Sequence, residues 1–574
     1  MPHINTSPAQ PSCPKQATLV ALNAQYIHTP AGIYSLAAYA GHQLDLCCLS
    51  FNINEKFDLL LERIYHARAP IVCFSCYIWN IELVYRLAQA LYAMDDSLCI
   101  LLGGPEVSYD PMEQLRAHPY VAGILYGEGE KSFLQFVRTF YGTQDYSQLA
   151  GLCYRQQTDL IDNGPPELIP AADIPVPYDF AQLPSPPQII YYESSRGCPH
   201  RCAFCLSRGE ALRLRPLEDT LMHLRQFVEH GAKQVKLIDR SFNADLDRAK
   251  RIWKELATWD TDCNFHFEVA AASLDEEALA ILQRAPKGRF QFEIGVQSTN
   301  PNTKRAIDRP ESFQVLQRVV RSLQSQGNLH LHLDLIAGLP EEDMASFGQS
   351  FRDVFALRPD MLQLGFLKLL KGSQLRSVAA EFGCHYSEQP PYEVRRTSTM
   401  RPEDFFVLKR CERALDLYYH APPIKRATLH LLGQRDSFAF FCELGAWIGE
   451  RNLSSLSLRM EALWCFAVEK GWQSPALRER MLYDVLTWER TPTLPLGFAP
   501  PSSREKEKIR LFYQTQGAKL FPQAKGNPWR FSQVQGFAYD IFHDPEQQTP
   551  ALRKNYVLFD YQNKRQMDIT AFML

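Results

Sequence analysis

Short apolar runs alternate with amphipathic segments twice along this chain, and that alternation limits its fold more than any other feature. In the first series ATLVAL (17–22), LDLCCLSF (44–51), IVCFSCYI (71–78), LCILLGG (98–104) and GILYG (123–127) each read as a buried strand. IELVYRLAQALYAM (81–94) and the segment opening at Glu130 carry helical periodicity between them. Parallel strands need crossover connections, which are usually helical, so the pattern predicts a parallel, doubly wound α/β sheet over residues 1–155. Eight prolines then crowd between residues 164 and 188, among them Pro165, Pro166, Pro186 and Pro187. Proline fixes φ and removes a backbone donor, so residues 156–188 read as a semi-rigid connector.

The second series runs QIIYYESS (188–195), QVKLIDRS (234–241), FHFEVAA (265–271), FQFEIGVQS (290–298), LHLDLIAG (331–338) and MLQLGFLKL (361–369), with helical patterns such as LEDTLMHLRQFVEHG (217–231) between strands. Six βα units of this spacing predict a partial barrel over residues 189–374, with its chemistry on loops at the carboxyl ends of the strands. Residues 375–574 change character. PEDFFVLKRCERALDLYYH (402–420) is amphipathic, with Pro402 placed for a first helical turn, and the rest reads as mainly helical with no catalytic pattern. The aromatics of this region, such as Phe438, Phe440 and Trp529, read as core.

Charge and composition exclude some partners. A formal net charge of -3 gives no global attraction for a polyanion, although a local basic patch is compatible with it. No run of about 18 apolar residues offers a membrane span, and MPHINTSPAQPSCPKQ does not read as a secretory signal. Fifteen cysteines, an odd total, point to reduced thiols and metal ligation rather than a disulfide framework, and so to a cytoplasmic protein.

Three of those cysteines form the sharpest motif. SSRGCPHRCAFCLSR (194–208) places Cys198, Cys202 and Cys205 as Cys-x-x-x-Cys-x-x-Cys on a loop after the first barrel strand. Thiolates suit iron–sulfur clusters or zinc. Three of them hold three irons of a cubane and leave the fourth open to a small molecule's amine and carboxylate. Structural zinc usually takes four closed ligands, and no Cys or His pair lies nearby at matching spacing.

These residues resemble the radical S-adenosylmethionine superfamily, whose signature is this three-cysteine spacing. The resemblance implies a [4Fe-4S] cluster on Cys198, Cys202 and Cys205, with Phe204 against the adenine of S-adenosylmethionine. It also implies an amino-group site near Asp239, Arg240 and Ser241, and ribose and carboxylate contacts from Glu268, Gln297 and Ser298. LIAGLPEE (335–342) would set Gly338 beside the adenine. The family's Gly-Gly-Glu is absent from the second strand, which continues as IDRSFN (238–243).

Two glycine-bearing loops extend the likeness into the first domain. LLGGPEVS (101–108) and YGEGEKSF (126–133) both lie at carboxyl ends of strands, where a backbone approaches a ligand closely. In this order, ahead of a cluster barrel, they resemble the cobalamin-binding radical S-adenosylmethionine proteins. The resemblance, over about residues 15–370, implies a Rossmann-like cobalamin domain. Ser75, Gly103 and Gly104 would enclose the nucleotide tail, with Gly127, Glu128 and Gly129 on the neighbouring loop. The Asp-x-His-x-x-Gly motif of many cobalamin domains is not kept: His28 is present, but Tyr26 and Ala31 stand at the aspartate and glycine positions. Without a carboxylate to orient the imidazole, His28 is not expected to ligate cobalt. Tyr77 and Trp79 fit the cobalamin's lower face, with core packing the simpler role.

The activity this resemblance implies is methylation of an unactivated carbon, through a 5′-deoxyadenosyl radical and methylcobalamin, on a small natural-product-like substrate. A flavodoxin or ferredoxin would supply the electron. A cobalamin-assisted rearrangement or cyclisation without methylation is one alternative. Another is a tRNA methylthiotransferase, which needs three more cluster cysteines in the first domain. Cys13, Cys47, Cys48, Cys73 and Cys76 read instead as structural thiols, and no basic RNA-binding module is evident. The region after the barrel would cap its mouth and select the substrate.

Overall fold

The computed structural model describes residues 15–25, 28–180, 189–488, 490, 501–521, 528–542 and 551–573. The chain divides into two compact units, Met1–Glu342 with Phe366–Thr399, and Asp343–Gly365 with Met400–Leu574. Among the described residues no helix is long and apolar enough to cross a membrane.

The first unit opens with strands β1 (Ala17–Asn23), β2 (Leu46–Asn52), β3 (Ile71–Ser75), β4 (Cys99–Gly103), β5 (Gly123–Leu125), β6 (Leu152–Gln156) and β7 (Asp159–Asp162) in the order β2-β1-β3-β4-β5-β6-β7. β1 to β5 pair in parallel, as the sequence implies. Alternate residues feed opposite cores: Val20, Leu22, Val72, Phe74, Ile100 and Leu102 one face, Ala17, Leu19, Ala21, Ile71, Cys73 and Leu101 the other. The helix Ile81–Met94 covers the first face with Ile81, Val84, Leu87, Ala88 and Leu91, spaced three and four apart. The helix Gly129–Tyr141 covers the second with Phe133, Phe136 and Val137. β6 and β7 add an antiparallel hairpin on the edge, running across residue 155 where the sequence reading ended the domain. Strand order reverses its progress between β1 and β3, the switch point at which open α/β sheets take their ligands.

Within the proline-rich connector, Pro186 and Pro187 lie outside the described residues. Beyond it come β8 (Ile190–Tyr192), β9 (Ser195–Cys198), β10 (Glu210–Leu214), β11 (Gln234–Leu237), β12 (Asn264–Glu268), β13 (Phe290–Gln297) and β14 (His330–Ala337). β8, β11, β12, β13 and β14 lie side by side in parallel. The sequence reading ran the first barrel strand on to Ser195. The structure ends it at Tyr192 and starts a separate antiparallel hairpin, β9–β10, that carries the cysteine loop at its tip. The sixth expected strand, β15 (Met361–Phe366), is also present.

The second unit is helical over Pro402–Ala414, Lys425–Leu432, Ser437–Ile448, Leu456–Glu469, Pro475–Trp488 and Ser503–Leu520, with Pro402 in the first turn. Its last part departs from the helical expectation: Ser532–Tyr539, Leu552–Asp560 and Arg565–Asp568 form an antiparallel sheet. Phe438 and Phe440 are core, whereas Trp529 is 40% exposed and meets Tyr513 edge-on.

Candidate active site

The cysteine loop is held at its base by a buried carboxylate. Asp239, just past β11, is 1% exposed and accepts hydrogen bonds from the Ser194 hydroxyl (2.9 Å), the Ser194 N–H (3.3 Å) and the Ser195 hydroxyl. Burial pushes the Asp239 carboxyl up, and the serine bonds pull against it. The carboxylate placed by resemblance near an amino group is thus engaged in anchoring the start of β9. Gly197 follows with φ +87°, and a Cβ there would sit 2.2 Å from the Ala211 carbonyl oxygen, so the hairpin closes only on glycine. At the tip Gly209 N–H donates to His200 O (2.8 Å), Cys205 N–H to Cys202 O (3.1 Å) and Ala203 N–H to Ile307 O (3.0 Å).

Cys198 is buried, Cys202 and Cys205 are half-buried, and all three are free thiols. Burial raises Cys198 and Cys202, and each is pushed further up by the charge of Cys205. An Arg309 nitrogen lies 4.0 Å from Cys202 Sγ and pulls that thiol down. Among the described residues, one group of three metal-binding side chains has its donor atoms within 4.8 Å of one another, Glu293, His332 and Asp334, and the cysteines are not part of it. At least one pair of the three sulfurs is therefore wider apart than the roughly 3.8 Å that Zn–S bonds near 2.3 Å impose in a tetrahedron. Free, on one short loop, and not drawn together as around a single ion, they fit a cubane cluster.

The residues expected to face S-adenosylmethionine stand at the ends of consecutive strands. Glu268 ends β12, Gln297 ends β13 with Ser298 after it, and Gly338 follows β14 with φ +85°. Gln297 is buried at φ +68°, and its Oε1 has no hydrogen-bond partner among the described residues. A strained, buried acceptor of this kind fits a bound ligand better than packing alone. Ser298 donates to Glu342 Oε1 at 2.5 Å, and Glu342 is fully buried. Burial, with the neighbouring Glu293 charge, pushes Glu268 up to about 7. Phe204 is half-buried beside Cys205.

In the first domain the glycine loops serve the chain itself. Gly104 has φ +111°, and a Cβ on it would lie 2.6 Å from the Cys76 carbonyl oxygen, while Cys76 N–H donates to Gly103 O (2.7 Å). The backbone that approaches so closely is that of the loop after β3, which follows Ser75. Gly127, at φ +73°, faces Pro166, and Gly129 faces Leu36. Glu128 and Glu130 reach the cysteine hairpin: Glu130 Oε1 pairs with Arg196 (2.6 Å) and accepts from Ser35 (2.8 Å), and Glu128 pairs with Arg213. Burial pushes Glu130 up, but Arg196 outweighs it and the carboxyl is held below its ordinary value. A second tie joins Glu106 of the Gly103–Gly104 loop to the Tyr392 hydroxyl, with Lys371 3.1 Å from Asp110.

His28 Nδ1 lies 2.5 Å from the Tyr191 hydroxyl, so the histidine is bonded to the barrel. Tyr77 and Trp79 stack at 4.5 Å and 7° in the loop after β3, beside the switch point. Trp79 is 49% exposed, which removes core packing as its role. A flat aromatic pair with its tryptophan exposed, beside a switch point, fits a planar macrocycle. Of the thiols in this domain Cys73 and Cys76 are buried, Cys47 is half-buried and Cys48 exposed, the last departing from a structural reading. Cys13 lies outside the described residues.

Sequence reasoning missed the polar belt on the barrel strands: Lys236, His266, Glu293, His332 and Asp334. Lys236 Nζ is 2.9 Å from Glu293 Oε2 and 4.0 Å from Glu268 Oε1. Burial pushes Glu293 up, yet His266 and Lys236 beside it bring the carboxyl down to about 2. The signal was present in QVKL, FHFE, FQFE and LHLD, which put polar side chains at every second place of otherwise apolar strands.

Comparison with known proteins agrees with this geometry. The B12 binding domain model matches residues 17–137, the radical SAM superfamily model 192–354, and a family described as a protein of unknown function (DUF4080) 380–559. A 2-(S-pantetheinyl)-carbapenam-3-carboxylate methyltransferase of Streptantibioticus cattleyicolor is 26% identical over 305 residues, covering 48% of this chain and 43% of the relative. The cobalamin-dependent radical SAM methyltransferase TokK of Streptomyces tokunonensis is 26% identical over 306 residues, again 48% and 43%. The match thus spans less than half the length of these relatives. Among solved structures, the cobalamin-dependent S-adenosylmethionine radical enzyme OxsB, with aqua-cobalamin and S-adenosylmethionine bound, superposes with TM-score 0.56 at 14% identity, covering 83% of this chain and 78% of that one. The methyltransferase TsrM of Kitasatospora setae gives 0.55 at 14%, covering 66% and 78%. At such identities these two establish the fold. The cofactors that belong to the matched domains are cobalamin and, on the barrel, a [4Fe-4S] cluster with S-adenosylmethionine. The chain thus carries a radical SAM superfamily domain, with a B12 binding domain ahead of it and a DUF4080 region behind it.

Proposed function

We propose that this chain is a cobalamin-dependent radical S-adenosylmethionine enzyme that methylates an unactivated carbon of a small molecule. One observation carries the reading: Arg196, two residues before Cys198, pairs with Glu130 of the B12 binding fold. The strand that presents the thiols is thereby tied to the loops that would cradle cobalamin, as a reaction shared between two cofactors requires. The curated relatives named above, both methyltransferases, support the same direction.

When bound, the cluster and cobalamin supply the electron and the methyl group of the reaction. The chain's own residues bind and orient. Cys198, Cys202 and Cys205 would ligate the cluster, with Phe204 beside it. Asp239 keeps the loop's base in place, and Arg309 sets a positive charge against Cys202. Glu268, Gln297, Ser298 and Gly338 would contact S-adenosylmethionine. Ser75, Gly103, Gly104, Gly127, Glu128 and Gly129 would line the cobalamin side, with Trp79 and Tyr77 against the macrocycle. A one-electron donor such as a flavodoxin or ferredoxin would complete the system.

The test is anaerobic reconstitution of the full chain with iron, sulfide and cobalamin. Methyl-labelled S-adenosylmethionine and a strong reductant are then added across a panel of small-molecule substrates. The expected result is 5′-deoxyadenosine, about four irons per chain, and label in one product. Zinc on the thiol loop, or no 5′-deoxyadenosine under full cofactor loading, would sink the reading. An altered but unlabelled product would move it to rearrangement, and about eight irons to a methylthiotransferase.

A further inference from the structure

The barrel carries a second set of donor atoms that the cysteine loop does not use. Glu268, Glu293 and His332 are register partners across β12, β13 and β14, and Asp334 is the next residue of β14 on the same side as His332. The other side of these strands bears Phe267 and Phe292, which pack on Trp253 of the helix Leu246–Thr258. The polar side chains therefore point away from that helix, into the concave side of the sheet.

Carboxylate oxygens of Glu293 and Asp334 and a ring nitrogen of His332 lie within 4.8 Å of one another. His332 Nε2 stands 3.0 Å from Asp334 Oδ1, and His266 Nε2 stands 3.1 Å from Glu293 Oε2. Neither ring nitrogen has the geometry of a hydrogen bond there, and Asp334 Oδ1 accepts none, although His266 and His332 are only 7% and 6% exposed. The donors of Glu293, His332 and Asp334 lie close enough to be neighbours around one ion. Donors about 2.1 Å from one ion take that spacing. Charge points the same way. Lys236 answers Glu293 and Arg240 acts on Glu268, whereas Asp334 has the His332 imidazole against it and, among the described residues, no lysine or arginine within ion-pair distance. Asp334 thus relies on an imidazole for its counter-charge, which a bound cation would complete.

We propose that Glu293, His332 and Asp334 bind a divalent first-row transition-metal ion, with His266 and Lys236 orienting the Glu293 carboxylate from its other side. One imidazole and two carboxylates suit manganese(II), iron(II) or zinc(II). Three protein ligands leave coordination positions open to an oxygen or nitrogen donor of a small molecule inside the barrel. The site stands independently of the methyl-transfer reading, since the ion binds or fails to bind whether or not S-adenosylmethionine is cleaved.

The test uses the full chain with its cluster already loaded, so that the cysteine thiols are occupied. After loose metal is stripped on a chelating resin, the protein is titrated with manganese(II), which prefers oxygen and nitrogen donors to thiolate. Loss of the free ion's paramagnetic resonance signal should report one ion bound per chain. Asp334→Asn and His332→Gln should each weaken binding at least tenfold while the cluster absorption and iron content stay at the parent level. No binding by the parent chain, or equal binding by both variants, overturns the proposal. Should either variant fail to fold, Glu293→Gln gives the same comparison from β13. The parent chain supplies a further readout: its unfolding midpoint should climb with manganese concentration, and a flat response counts against the site.

Discussion

At the scale of the residue, Asp239 and Asp484 show how burial turns a carboxylate into a structural part. Hydrogen bonds to a charged acceptor contribute ~1.5–3 kcal/mol each, and Asp239 takes them from Ser194 and Ser195. Asp239→Ala is expected to cost about 3 kcal/mol in urea unfolding and to lower iron content, because the strand leading to Cys198 loses its anchor. Asp484, in the second unit, accepts from the Ala427 N–H at 2.8 Å, and burial pushes its carboxyl up to about 8. A group that binds its proton more tightly when folded adds stability that is complete below its unfolded value near 4 and is lost as pH rises through about 8. Asp484→Asn keeps an acceptor and removes the titration. The variant should match the parent chain near pH 4 and exceed it in thermal midpoint near pH 9, and an equal gap at both pH values would contradict this assignment.

At the scale of the element, the cysteine hairpin depends on one glycine. Gly197→Ala would drive a methyl into the Ala211 carbonyl, whereas Gly231, also at positive φ, has nothing within 4 Å of its Cβ position. Gly231→Ala should cost only about 1 kcal/mol, and Gly197→Ala should abolish the cluster's visible absorption after reconstitution. The elements that sequence patterns captured are long and periodic. The helix Ile81–Met94 has the bounds its apolar spacing implied, and β13 and β14 follow their alternating runs closely. The hairpins β6–β7 and β9–β10 escaped because short antiparallel strands carry few residues of pattern, and Leu552–Asp560 of the late sheet because its buried residues run together instead of alternating. Cys198, Cys202 and Cys205 were legible because a local spacing defines them. The work of Asp239 and the lumen-facing role of Glu293 were not, since their partners arrive from other strands.

At the scale of the whole molecule, the first domain and the barrel strands β8 to β14 lie in one compact unit, and charged pairs tie them. Arg196 has a side chain 14% exposed and answers Glu130, 5% exposed, together with Glu193 and Glu128. Removing the cation strands the buried Glu130 carboxylate, and breaking a buried pair in this way costs about 3–5 kcal/mol. Arg196→Met should therefore lower the unfolding free energy by about that amount, and a loss under 1 kcal/mol would show that solvent screens the pair.

The same arginine constrains how this architecture can be recombined. A chimera that grafts a foreign nucleotide-fold module onto this barrel inherits Arg196 and Arg213, and it will seat only if the donor offers acids where Glu128 and Glu130 stand. Inheritance of the two halves is thus coupled by electrostatics, and a lineage that exchanged one half alone would first have to rewrite that contact.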